Sequence, residues 1–184
     1  MSISLEGGAA ALFLGFLGTV AMAANPMVGG AAMYESKNIV ENAVNSADHT
    51  TLVAAVKAAG LVDTLQGDGP FTVFAPTNAA FDALPEGTVA ALLKPENKDQ
   101  LTKILACHVV SANALSTAIK GMVDDDKGAH PVKTVGGCEF TAMYDGDTIM
   151  IKDGQDAIAN VTIADVKQSN GVIHVIDKVL LPAS

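Results

Sequence analysis

Cys107 and His108 stand side by side inside the apolar run from Ile104 to Val110, and the only other cysteine of the chain is Cys138. A thiol beside an imidazole is the pairing of an activated nucleophile, and with further donors it becomes part of a zinc site. Zinc takes about four ligands in a tetrahedral array. The set on offer is Cys107, His108, Cys138 and His130, with no Cys-x-x-Cys or His-x-x-x-His spacing to hold it. His108 leads into Val109-Val110, a short strand by type, where successive side chains point to opposite faces, so Cys107 and His108 diverge. Two cysteines in a chain bound for an oxidising compartment allow one intramolecular bridge. A Cys107 to Cys138 bridge closes about 32 residues and contributes roughly 3 to 4 kcal/mol by chain entropy. That bridge, with a hydrogen-bonded structural His108 beside it, is the main expectation. A periplasmic redox or metal-handling centre of Cys107, His108 and Cys138 is its rival.

The other chemistry-bearing residues have structural readings. Asp145, Asp147, Asp153 and Asp156 are divided by the strand-like Thr148 to Lys152, whereas a calcium loop of the EF-hand type draws its ligands from one continuous stretch of about 12 residues. They read as solvated hairpin turns, and Asp124 to Lys127 as an exposed charge run. Asn160-Val161-Thr162 matches the N-glycosylation acceptor but falls in an expected strand. His174, inside an apolar strand, reads as a core histidine that needs a polar partner. Thr77 and Asn78 are preferred helix-capping residues. Ser111, Ser116 and Ser169 lack a Gly-x-Ser-x-Gly elbow, and neither a phosphate loop nor a dinucleotide fingerprint occurs. No catalysis and no cofactor are expected. A small-molecule cleft ranks last, because no convergent polar set is visible.

Composition narrows the partners. The formal charge is −9 and every basic residue is lysine. Nucleic acid is excluded as a partner on this reading, since phosphate and guanine recognition draw on clustered cations and the arginine fork. Ala9 to Val20 form an apolar and glycine run before Ala21-Met22-Ala23, a small-x-small cleavage pattern. Residues 1–23 therefore read as a secretory signal peptide, although Met1 to Gly8 carry Glu6 and no lysine. The run is shorter than the roughly 20 residues of a membrane helix, so stable membrane insertion is not expected once the leader is removed.

These residues must be placed by regular elements. Residues 24–35, small and aperiodic, read as a flexible lead-in, and 36–184 as one domain. Ile39, Val40, Ala43 and Val44, then Leu52, Val56 and Ala59, follow helical spacing, with Asp48 as the cap of the second helix and Gly60 as its left-handed stop. Phe71 to Ala75 read as a strand ended by Pro76, followed by a helix capped by Thr77 or Asn78. Thr88 caps Val89 to Leu93, and another helix carries Leu101, Ile104 and Leu105 inward. From His130 on, five strand-like segments are separated by Gly-Gly, Asp-Gly-Asp, Asp-Gly-Gln-Asp and Ser-Asn-Gly turns. The last, Gly171 to Pro182, is apolar on both faces and should lie inside the sheet. Helices first and strands later make the class α+β.

Two of these stretches, Phe71 to Phe81 (FTVFAPTNAAF) and Ser169 to Pro182 (SNGVIHVIDKVLLP), resemble the paired signature segments of the fasciclin domain family, and Leu101 to Val110 resembles its stretch ending in Tyr-His-Val-Val. The resemblance runs from about Asn38 to Pro182. It implies a seven-strand β-sandwich or wedge with helices packed against it. It also implies a secreted, periplasmic or cell-surface-associated, non-enzymatic adhesion or matrix module, here a monomer of the small bacterial single-domain kind. Its partner would be a protein or a cell-surface or matrix component. Cys107 replaces the family's tyrosine before His108, and Asp165-Val166 stands where the family carries Asp-Ile. By resemblance, His108, Asp165 and Val166 are the expected partner contacts.

Overall fold

The computed structural model describes residues 24–183; the leader expected at 1–23 lies outside them. The chain opens with strands β1 (Met27–Val28) and β2 (Ala31–Ala32), which pair antiparallel. Helices α1 (Ile39–Ala43), α2 (Thr50–Ala59) and α3 (Val62–Leu65) precede strand β3 (Phe71–Pro76). Helices α4 (Asn78–Asp82), α5 (Thr88–Leu92) and α6 (Lys98–Ala106) lead to the short strand β4 (Val109–Val110). After helix α7 (Ser116–Asp125) come β5 (His130–Lys133), β6 (Glu139–Asp145), β7 (Thr148–Lys152), β8 (Ile158–Gln168) and β9 (Gly171–Ile176). The class is α+β.

Seven strands form one sheet in the order β4-β3-β9-β8-β7-β6-β5. Strand β9, buried at all six positions, runs parallel to β3 and antiparallel to β8. A strand covered on both faces is apolar without alternation, which is how its sequence reads. Gly171 lets the two central strands meet: a Cβ there would stand 1.9 Å from the Phe71 carbonyl oxygen. Alternate residues feed two cores. Val73, Ala75, Ile173 and Val175 pack under α1, α2 and α6 with Leu52, Ala55, Leu101 and Ile104. Phe74, Ile176 and Leu180 point the other way, to Phe140, Ala142, Ile149, Ile151 and the α7 residues Ile119 and Val123.

The sheet folds until its edges meet. Beyond β5, the Val135 N–H donates to the Val109 carbonyl (2.8 Å) and the Gly136 N–H to that of Ala106 (3.0 Å). Gly136 is needed for this approach, since a Cβ would lie 2.8 Å from the Cys107 nitrogen. Cys107 and Cys138 are bridged across the same junction, with Cα atoms 5.4 Å apart. Pro131, which has no N–H to offer, sits on β5, an edge strand.

Several expectations need correction. Residues 24–35 are not a loose lead-in: they form the β1-β2 hairpin, bury Val28 and Met33 in the helix-side core, and accept the Ala47 N–H at Gly29. Asp48 does not cap α2, and Thr88 is the first residue of α5 behind Gly87 rather than its cap. Gly60 does end α2 in the left-handed conformation, at φ 72°. Helices α3 and α7 carry too few core residues to have shown a stripe. The last strand stops at Ile176, and Val179 and Leu180 continue its burial as irregular chain.

Candidate functional site

His108 is 1% exposed. Its Nε2 accepts the Leu180 N–H (2.9 Å), so the proton is on Nδ1, which donates to the Ile104 carbonyl (2.8 Å). Burial disfavours the imidazolium and pushes the pKa down to about 4. With both nitrogens engaged inside the core, His108 offers no lone pair to a metal and no surface to a partner, which corrects its expected contact role. Cys107 is fully buried and Cys138 nearly so, and both are used by the bridge.

The Asp165-Val166 pair is likewise turned to internal work. Val166 is fully buried in the helix-side core, so it is not a contact residue. Asp165, at φ 57°, takes up Ser116 at both carboxylate oxygens: Oδ1 accepts the Ser116 N–H (2.6 Å) and Oδ2 its hydroxyl. The Asp165 N–H donates to His174 Nδ1 (3.3 Å), and His174 Nε2–H donates to the Ala114 carbonyl (2.7 Å). His174 stacks on Phe74 with ring centroids 5.7 Å apart, and burial holds its pKa below the ordinary value. Thr72 completes the set. Its hydroxyl donates to the Ala112 carbonyl (2.5 Å) and accepts the Ala114 N–H (2.8 Å). Thr72, Asp165 and His174, from three adjacent strands, thus hold the segment 112–116 that leads into α7.

Thr77 caps α4 by accepting the Ala80 N–H (3.3 Å). Asn78 caps a different helix: its Oδ1 accepts the Thr51 N–H (3.0 Å) at the start of α2, and its Nδ2 donates to the Ala47 carbonyl (2.9 Å). It supplies the acceptor expected of Asp48. Asp153 is buried rather than solvated, and accepts the Gln155, Ala157 and Leu181 N–H groups. Asn160 lies in β8 with its amide donating to Asp177. No group of acids, histidines and cysteines among the described residues could hold a metal ion.

Sequence reasoning overlooked His49, Asn42 and Gln168. His49 is 3% exposed, its Nδ1 beside the Ser46 hydroxyl (2.8 Å). Asn42 and Gln168 are bonded to each other inside the molecule. These residues are ordinary polar types in sequence, and only the chain's long-range pairing buries them.

A surface recess opens where the sheet edges part. Val110, Ala112 and Ala114 line one side of it and residues 130–133 of β5 the other. The gap of about 150 Å3 is floored by Phe74, Ile119, Met122 and Ala142 and rimmed by Ala112 and Lys133, among others. Its Ala112 side is the segment held by Thr72, Asp165 and His174.

This arrangement agrees with the comparisons. Residues 47–182 match the model of the fasciclin domain. The chain belongs to the fasciclin domain family. Among curated fasciclin relatives, Protein sll1483 of Synechocystis sp. is 45% identical over 172 residues, covering 89% of this chain and 87% of that one. Immunogenic protein MPB70 of Mycobacterium bovis is 33% identical over 166 residues, covering 87% and 77%. A solved FAS1 domain pair from the insect cell adhesion molecule Fasciclin I superposes with a TM-score of 0.70 at 18% identity, covering 79% of this chain and 51% of that one. That likeness carries the fold.

Proposed function

We propose that this fasciclin-domain protein is a non-enzymatic adhesion or matrix-associated module, exported to the periplasm or cell surface. It acts as a monomer through contact with a protein or another cell-surface or matrix component. The observation that carries the reading is membership of a family whose relatives here include a cell surface glycolipoprotein, MPB83 of Mycobacterium bovis, 38% identical over 122 residues. The fold suits the role. Its buried histidines and bridged cysteines are committed to internal bonds, and the loops at the sheet edges are what remains to meet a partner. No helix among the described residues is long and apolar enough to cross a membrane. A surface-binding assay of the purified domain against native envelope and matrix fractions tests the reading. Saturable retention is expected, and its absence from every fraction removes the role.

A further inference from the structure

We propose that Asn170 and Gly171 form a self-modification site that the fold holds silent, and whose reaction, once the chain opens there, prevents it from closing again. Asn170 is the only asparagine of the chain that is followed by glycine. In that setting the side chain is open to attack by the next backbone nitrogen, because glycine has no Cβ to shield that nitrogen or to restrict its approach. The Gly171 nitrogen bonds to Asn170 Cγ, and the side-chain nitrogen leaves as ammonia, taking the proton of the Gly171 amide with it. Water then opens the resulting succinimide at one carbonyl or the other and leaves aspartate or isoaspartate at position 170. The reaction needs water alone, and it is independent of the surface-contact reading above.

In the folded protein the attack is opposed by the bonds that the Asn170 side chain makes. Its Oδ1 accepts the Ile39 N–H at the start of α1 (3.1 Å), and its Nδ2 donates to the Leu65 carbonyl (2.7 Å) and the Gly67 carbonyl (2.9 Å) at and just after the end of α3. Gly171 is held between two strands, opposite Gln168 of β8 and Phe71 of β3, while the Asn170 carbonyl accepts the Phe71 N–H (3.0 Å). Bringing Cγ onto the Gly171 nitrogen requires the side chain to leave its three partners, and so to release α1 and α3 from the β8-β9 turn. The products do not fit the place they came from. Aspartate has no N–H for the Leu65 and Gly67 carbonyls, its charge faces both oxygens, and acceptors left without donors inside a protein oppose folding. Isoaspartate adds a methylene to the backbone of a turn already so close to β3 that a Cβ on Gly171 would stand 1.9 Å from the Phe71 carbonyl oxygen. The helical layer thus guards the site, and a single opening long enough for the reaction is recorded in the chain for good.

The test follows the purified protein in mildly alkaline buffer, folded and in guanidinium, by peptide mass spectrometry. Deamidation at Asn170 should be about tenfold or more faster in the unfolded chain, since reaction of the folded one waits on opening, and the other asparagines should lag behind it. Equal rates in the two states, or an Asn170 that stays intact in guanidinium, overturn the proposal. The deamidated chain is then separated by its extra negative charge and returned to native buffer. It should melt at a lower temperature than unmodified protein taken through the same steps, with faster amide exchange in α1 and α3. A deamidated chain that melts like the unmodified one overturns the one-way step. Asn170→Asp brings the charge without the longer backbone and should also melt lower; an unchanged melting temperature contradicts the misfit. Should that variant not fold, the two time courses and the refolded deamidated chain still decide.

Discussion

The two cores of this molecule are closed by different means. On one face of the sheet, α1, α2 and α6 lay apolar stripes over Val73, Ala75, Ile173 and Val175, and the β1-β2 hairpin adds Val28 and Met33. On the other, the sheet folds over Phe74, Phe140, Ile151 and Leu180 with α7 as its one helix. There the edges are joined by two backbone hydrogen bonds and the Cys107–Cys138 bridge. Helices can slide and repack over a sheet, but a sheet closing on itself has to match edge to edge. The strand-side core therefore depends on a covalent tie and on one buried acid, Asp153, and it is this side that carries the recess.

The largest test of the contrast is a pair of truncations. Phe140→Ala, in the strand-side core, should cost about 3 to 5 kcal/mol by urea denaturation, more than Leu52→Ala under α2. An equal or smaller loss would break the comparison. Next, replacing both Cys107 and Cys138 by Ser should cost roughly 3 to 4 kcal/mol. Amide exchange should rise in α7 and β5 while α1 and α2 stay protected, and a uniform rise would contradict the division into two cores.

Acid should act through the buried histidines. Burial lowers the folded-state pKa of His108 to about 4 from the ordinary 6.5, so below 6.5 the unfolded chain takes up a proton that the folded chain refuses. Stability is complete above pH 6.5 and falls as pH drops toward 4, by roughly 3 kcal/mol from this group at about 1.36 kcal/mol per unit. His174 and His49, also lowered by burial, act in the same direction. Urea midpoints from pH 7 to 4.5 check the slope, which His108→Gln should flatten. The smallest effect is expected on the helix side: Asn78→Ala should cost about 1 kcal/mol, with faster exchange confined to the start of α2.

Much of this contrast was legible in the chain. The both-face apolarity of Val172 to Ile176 announced an inner strand, Gly60 a helix stop, and the dipeptide signals after His130 the hairpins. The polar seam was not legible. Asp165 reads as a surface acid until Ser116, far away in sequence, is brought beside it, and Asn78 reads as the cap of its own helix although it serves α2. Helix α7 escaped because Ile119 and Val123 are its only buried residues, Gly121 interrupts it, and Asp124 and Asp125 sit at the end where the helix dipole disfavours acids. The fold follows from periodicity, which is local. The recess follows from where two edges fail to meet, which is not.

Pro131 has an effect beyond the shape of that opening. Another copy arriving to lengthen the sheet would find a pyrrolidine ring where it needed a donor, so the molecule can leave one flank bare without seeding ribbons of itself. A single imino acid thus opposes edge-to-edge self-association of the sheet.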